Sequence, residues 1–164
     1  MGAALTALVV LVLDQVTKDW VRQVFALHEY RPVLGRFLGL TYVRNTGAAW
    51  GILHGANAWL AVISLITLIV LSVFHRRWWR DLPLHRIGLG MLCGGIAGNL
   101  VDRVRLGYVT DFISLHFGSY EFPAFNVADM AITLSVAFYL WVSLGTEARA
   151  SAERGVEGPA ADGH

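Results

Sequence analysis

Ala58-Trp59-Leu60-Ala61-Val62-Ile63-Ser64-Leu65-Ile66-Thr67-Leu68-Ile69-Val70-Leu71-Ser72-Val73-Phe74 holds no charged residue. A helix needs about 20 residues, at 1.5 Å each, to cross about 30 Å of hydrocarbon. With a few flanking residues this stretch reads as a transmembrane helix. Three more hydrophobic segments flank it: Ala3 to Phe25, Ile87 to Val101, and Val127 to Leu144. The segment Ile87 to Val101 reaches spanning length only if it extends from Leu84 to Val104. The fold class expected is therefore a membrane all-α protein with four transmembrane helices.

Composition agrees. The chain has 164 residues, 55% of them hydrophobic and 15% charged, with a mean hydropathy of +0.53. That is too apolar for an ordinary soluble domain and too short for two. One polytopic domain is expected over residues 1–146. The tail from Glu147 to His164, rich in Ala, Gly and Glu without periodicity, is expected to be disordered and cytoplasmic. Ala3 to Leu13 could pass for a signal-peptide core, but no basic segment precedes it. The apolar run also continues past Asp14 and Lys18 to Phe25, so a retained first helix is expected.

Four spans place both termini on one side. The loop His75 to Arg86 carries Arg76, Arg77, Arg80 and Arg86, the densest positive cluster, which the positive-inside rule puts in the cytoplasm. Trp78 and Trp79 beside it suit an interfacial anchor. The loops Ala26 to Asn57 and Leu106 to Asn126 then face outward. Gly39-Leu40-Thr41-Tyr42-Val43-Arg44 has strand-like composition, so a small outer-face β-cradle is expected in the first outer loop. The inward signal is modest, because Arg31, Arg36, Arg44 and Arg105 lie in the outer segments.

Several functions are disfavoured. A formal net charge of +1, with no basic stripe among aromatics, speaks against nucleic acid. Cys93 is the only cysteine, which rules out an intramolecular disulfide. The histidines His28, His54, His75, His85, His116 and His164 are scattered, with no metal-ligand spacing, so neither a metal nor another cofactor is expected. Ser64, Ser72, Ser135 and Ser143 lack nearby base partners, which leaves nucleophilic serine chemistry unsupported. Gly88, Gly90, Gly94, Gly95 and Gly98 in the third segment read as close helix packing.

Polar residues in or beside the spans fall into five groups: Asp14 with Lys18; Asn45-Thr46-Gly47-Ala48-Ala49; Asn99 with Asp102 and Arg103; Asp111; and Asn126 with Asp129. All converge on the outer end of the bundle. A carboxylate at membrane depth costs at least a few kcal/mol, so it marks a task or a partner. Asp14 and Lys18, four residues apart, share a helix face and read equally as an ion pair or as a support for loop or substrate. Asp102 and the adjacent Arg103 read as a structural ion pair that braces the outer loop. Asp129 suits a helix start. Two carboxylates that meet tend to share a proton, one activating water while the other protonates an amide leaving group. Intramembrane carboxylates also serve proton relays, but no internal repeat of the transporter kind is present. An inert assembly subunit would leave five polar clusters unexplained.

At these motifs the chain resembles the bacterial lipoprotein signal peptidases, the type II signal peptidases. The resemblance runs from Asp14 to about Leu144. It rests on Asp14-Gln15-Val16-Thr17-Lys18, Asn45-Thr46-Gly47-Ala48-Ala49-Trp50-Gly51, Gly94-Gly95-Ile96-Ala97-Gly98-Asn99-Leu100-Val101-Asp102-Arg103, Gly107-Tyr108-Val109-Thr110-Asp111-Phe112 and Phe122-Pro123-Ala124-Phe125-Asn126-Val127-Ala128-Asp129. Trp50 stands where Phe is common, and Thr110 where Val is common. The resemblance implies a polytopic aspartic protease of the bacterial inner membrane that removes signal peptides from diacylglyceryl-modified prolipoproteins. It implies four helices with an outer β-cradle, and places the catalytic pair on Asp111 and Asp129, with Asp102 the competing assignment. Asn45, Asn99, Arg103 and Asn126 would bind or orient substrate, while Asp14 and Lys18 support the outer end of the site. The expected partners are the lipid-modified substrate and membrane lipid. A monomer is expected. The outer loops are expected to close over substrate, so that crosslinking the Ala26 to Asn57 loop would lower turnover.

Overall fold

A computed structural model of the chain describes residues 2–47, 55–78 and 83–156. Four long helices and four strands follow one another as α1 (Gly2–Val24), β1 (Tyr30–Leu34), β2 (Leu38–Asn45), α2 (Asn57–Trp78), α3 (Pro83–Leu106), β3 (Val109–Phe117), β4 (Tyr120–Phe125) and α4 (Val127–Val156). The helices carry the four hydrophobic segments. Among the described residues, one helix is long and apolar enough to cross a membrane by length and composition, over Asn57–Phe74; Val127–Val142 forms a shorter apolar stretch.

α3 is the central helix, packed against α1, α4 and α2. Its glycines explain how closely the others approach. A Cβ on Gly94 would stand 2.6 Å from the Ala7 carbonyl oxygen of α1, and one on Gly95 would stand 2.6 Å from the Ala128 carbonyl oxygen of α4. Any side chain there would push the helices apart. α3 stops at Gly107, whose φ of 80° is open to glycine at little cost. Its N–H closes the last turn on the Arg103 carbonyl at 3.2 Å.

The sheet differs from the sequence expectation. It has four antiparallel strands in the order β1-β2-β3-β4, so the second outer loop supplies half of it. β3 is mostly buried on both faces, with no clean polar alternation to betray a strand. The β2–β3 register sets Val43 opposite Asp111 and Asn45 opposite Val109. That pairing ties the two loops together beside the helix ends. Val21 and Phe25 of α1 pack there with Tyr42 and Phe112 of the sheet.

One further expectation changes. The tail does not give way at Glu147: α4 continues to Val156. Residues 147–156 are rich in Ala, Glu and Arg, which are strong helix formers, so local propensity carries the helix onward. The third segment is helical from Pro83 to Leu106, longer than its apolar core, and α2 runs into the arginine-rich loop as far as Trp78. Trp50, Ala48, Ala49, Trp79 and Arg80 lie outside the described residues, as does the rest of the tail.

The burial pattern is inverted relative to a soluble domain. The most completely buried large side chains include Lys18, Asn126, Thr110, Asp14 and Asp102, whereas Leu5, Leu8, Val12, Val62, Ile66, Ile69, Leu134 and Trp141 lie exposed.

Candidate active site

The polar groups gather where the sheet meets the ends of α1 and α3 and the start of α4. Two linked layers result. The lower layer is an ion-pair cluster: Lys18 Nζ lies 2.8 Å from Asp14 Oδ2 and 3.4 Å from Asp102 Oδ2, with all three side chains buried. Its third contact is to Asn99 Oδ1 at 2.8 Å. Asp14 Oδ1 accepts the Ala128 N–H at 2.9 Å, which anchors the first turn of α4. Asp102 Oδ2 accepts the Thr110 N–H at 2.9 Å and so pins the start of β3. Gln15 Nε2 bridges Asp14, Asp102 and the Gly98 carbonyl. Buried charges persist only when each is paired and hydrogen-bonded in this manner.

The upper layer holds the two remaining carboxylates. Asp111 Oδ1 accepts Asn126 Nδ2 at 2.6 Å, and Oδ2 accepts Asn45 Nδ2 at 3.0 Å. Asp129 Oδ1 accepts Asn99 Nδ2 at 2.8 Å. Asp129 and Asn126 also exchange bonds: the Asp129 N–H donates to Asn126 Oδ1 at 3.0 Å and the Asn126 N–H to Asp129 Oδ2 at 3.2 Å. That exchange is a capping box, made here from Asn and Asp. The helix-cap reading of Asp129 and the site reading are thus one arrangement. Asn126 Nδ2 lies 3.2 Å from Asn99 Oδ1, so the layers share Asn99.

The environments of the two carboxylates differ. Asp111 is buried in β3, and desolvation, reinforced by the charge of Asp129, pushes its pKa up to about 7. The amides of Asn45 and Asn126 oppose this without overcoming it. Asp129 is half-buried at a helix N-terminus, where a negative charge is favoured. A carboxyl disposed to hold a proton beside a second carboxylate suits acid–base work.

The assignment of Asp102 to an ion pair with Arg103 needs correction. Asp102 pairs instead with Lys18, and its Oδ1 lies 3.7 Å from Arg22 Nη1. Adjacent residues on a helix point about 100° apart and do not face each other. Arg103 turns to the upper layer, where its Nη2 donates to the Gly47 carbonyl at 3.3 Å and its Nη1 to the Asn99 carbonyl at 3.4 Å. Its Nε is buried and has no hydrogen-bond partner among the described residues. Asn57 Nδ2 donates to the Arg103 carbonyl at 3.1 Å, tying the start of α2 to the site.

All nine candidate residues thus sit in one network. Gln15, Arg22 and the Thr110 backbone were missed. Arg22 was findable, because it follows Lys18 by the same four residues that separate Lys18 from Asp14. Its Nη1 donates to Thr110 Oγ1 at 2.6 Å, and it also bonds Asp19. Among the described residues no set of three His, Cys, Asp or Glu is arranged to hold a metal.

Two solved structures share this architecture, both described as bacterial membrane enzymes determined by the in meso method, at 2.3 and 1.9 Å resolution. The first is 34% identical with a TM-score of 0.84, covering 90% of each chain. The second is 35% identical with a TM-score of 0.79, covering 87% of this chain and 92% of the other. The family model described as signal peptidase (SPase) II matches residues 6–145. The lipoprotein signal peptidase of Moorella thermoacetica is 41% identical over 141 residues, covering 86% of this chain and 91% of that protein. That of Syntrophotalea carbinolica is 40% identical, covering 83% and 86%. The chain belongs to the signal peptidase II family.

Proposed function

We propose that this protein is an aspartic endopeptidase of the bacterial inner membrane, removing the signal peptide from diacylglyceryl-modified prolipoproteins just before the lipidated cysteine. The observation that carries this reading is the pairing of a buried, proton-holding Asp111 with a half-buried, cap-held Asp129 across Asn126. In the reaction, Asp129 takes a proton from water as its oxygen attacks the scissile carbonyl carbon. Asp111 gives its proton to the amide nitrogen as the carbon–nitrogen bond breaks. The products are the signal-peptide carboxylic acid, whose remaining water proton passes to the new amine, and the lipidated cysteine with its freed N-terminus. Passing a proton from Asp129 back to Asp111 resets the pair. Arg103 and Asn45 orient the substrate backbone beside it, and no cofactor takes part.

All four helices are proposed to span the bilayer, with both termini cytoplasmic, the sheet on the outer face and one copy sufficient. What supports this is the apolar exterior of α1, α2 and α4 and the arginine-rich sequence between the second and third hydrophobic segments. A lipid chain on the substrate cysteine would hold the scissile bond at that boundary, since burial is worth about 0.8 kcal/mol per CH₂. The test is digestion of matched precursors with and without the diacylglyceryl group by the purified chain. The lipidated precursor should be cut, with mass spectrometry placing the new N-terminus at the modified cysteine. Equal cutting of both, or a new N-terminus elsewhere, would reject the substrate assignment.

A further inference from the structure

Tyr42, Arg44 and Tyr108 form a cluster that the proposed chemistry does not use. Arg44 Nε donates to the Tyr42 hydroxyl at 3.0 Å, and the Tyr42 and Tyr108 hydroxyls are 3.0 Å apart. The Arg44 Cζ stands 4.9 Å from the Tyr108 ring centroid and 5.6 Å from that of Tyr42. Arg44 and Asn45 are neighbours on β2, so their side chains leave on opposite faces of the sheet. Asn45 turns to Asp111, and Arg44 turns away from the candidate catalytic pair.

Proton accounting shows what the cluster lacks. A guanidinium N–H only donates, so the Tyr42 oxygen is the acceptor of that bond. The Tyr42 and Tyr108 hydroxyls share one hydrogen bond, in which either oxygen can donate. The Nη groups of Arg44 are likewise donors, and no carboxylate among the described residues lies in ion-pairing range of them. Arg22 adds positive charge near Tyr108, although its own guanidinium is already engaged by Asp19 and Asp102. The result is a row of donors on an exposed arginine fixed by two rings, with an open acceptor position. A guanidinium held in this way matches the paired oxygens of a phosphodiester.

The position favours a lipid as the source of that phosphate. Tyr42 packs with Phe25, and Phe25 stacks edge-on with Trp20 at 5.7 Å. Trp20, Val24 and Leu27 are exposed beside it. Apolar surface for acyl chains is thus continuous with the donor row through a chain of aromatic contacts. Aromatic rings beside cationic groups are typical of the membrane–water boundary.

The geometry points to a phospholipid-headgroup site formed by Arg44, Tyr42 and Tyr108, which takes the phosphodiester of an outer-leaflet lipid on the sheet face opposite the candidate catalytic pair. The site needs the sheet to lie at the outer membrane boundary but does not depend on peptide cleavage.

The test is a binding titration of the full-length chain in maltoside micelles, which contain no phosphate. The probes are dihexanoyl-phosphatidylglycerol, dihexanoylglycerol and inorganic phosphate. The phospholipid should bind while the phosphate-free lipid does not. Arg44→Gln should weaken phospholipid binding about tenfold or more, the scale of a lost charge-assisted pair. Arg44→Lys and Tyr108→Phe should each weaken it less, and Arg36→Gln, which removes an equal charge from the β1–β2 turn, should leave it unchanged. Unaltered binding in Arg44→Gln, an equal loss in Arg36→Gln, or equal binding of dihexanoylglycerol would overturn the site. Inorganic phosphate bound as tightly as the phospholipid, with the same dependence on Arg44, would overturn the lipid assignment. Because no peptide is present, the result stands apart from the test of cleavage.

Discussion

Replacing Lys18 with methionine keeps most of the side-chain volume and removes the charge at the centre of the lower layer. The ammonium touches Asp14 at 2.8 Å, Asp102 at 3.4 Å and Asn99 at 2.8 Å. Asp102 retains Arg22 at 3.7 Å, so Asp14 is the carboxylate left without a cation. Its remaining partners, the Ala128 N–H and Gln15, are neutral. Stranding a buried charge costs about 3–5 kcal/mol, roughly a thousandfold in the folding equilibrium. The assay is denaturant unfolding of the purified protein in mixed micelles, followed by tryptophan fluorescence. Adding Asp14→Asn to Lys18→Met should recover about 2 kcal/mol or more, because the stranded charge is then removed. A loss below about 1 kcal/mol in Lys18→Met, or a further loss in the double variant, would refute the reasoning, since the pair would then behave like an exposed one.

Three further predictions concern the same region. Because the folded pKa of Asp111 is raised to about 7, the native state binds more protons than the unfolded state between its ordinary value and neutrality. Stability contributed at this site is present below about pH 4 and lost as pH rises through 7. The stability of Asp111→Asn relative to wild type should therefore increase over that window, and a flat difference would show Asp111 to be ordinary. Asn126→Ala removes a donor to Asp111 and one half of the capping box, and should lower kcat about 10- to 100-fold in a peptide-cleavage assay; an unchanged kcat would remove Asn126 from the site. A Cβ at Gly98 would strike the Asp14 carboxylate, so Gly98→Ala should cost about 1–3 kcal/mol in the same unfolding assay.

Much of this arrangement was legible in the sequence because its signals are local or chemical. Charge-free stretches mark the helices, and carboxylates and asparagines in such stretches must find one another. The glycines of α3 announced close packing, and the structure puts Gly94 and Gly95 against neighbouring backbones. What escaped depends on distant pairing. β3 is mostly buried and its polar residues do not alternate cleanly with apolar ones, and only pairing with β2 makes the second outer loop part of the sheet. Arg103 was assigned by adjacency to Asp102, but the helical twist separates them and sends Arg103 to Gly47. The continuation of α4 to Val156 reflects helix propensity where composition suggested disorder.

The central claim is that Asp111 and Asp129 are the catalytic pair, while Asp102, held by Lys18, Arg22 and the Thr110 N–H, supports them. Cleavage of a diacylglyceryl-modified prolipoprotein peptide by wild type, Asp111→Asn, Asp129→Asn and Asp102→Asn, each shown to be folded in detergent, tests it most directly. The account predicts no turnover from Asp111→Asn or Asp129→Asn and measurable turnover from Asp102→Asn. A folded but inactive Asp102→Asn beside an active Asp111→Asn would contradict it.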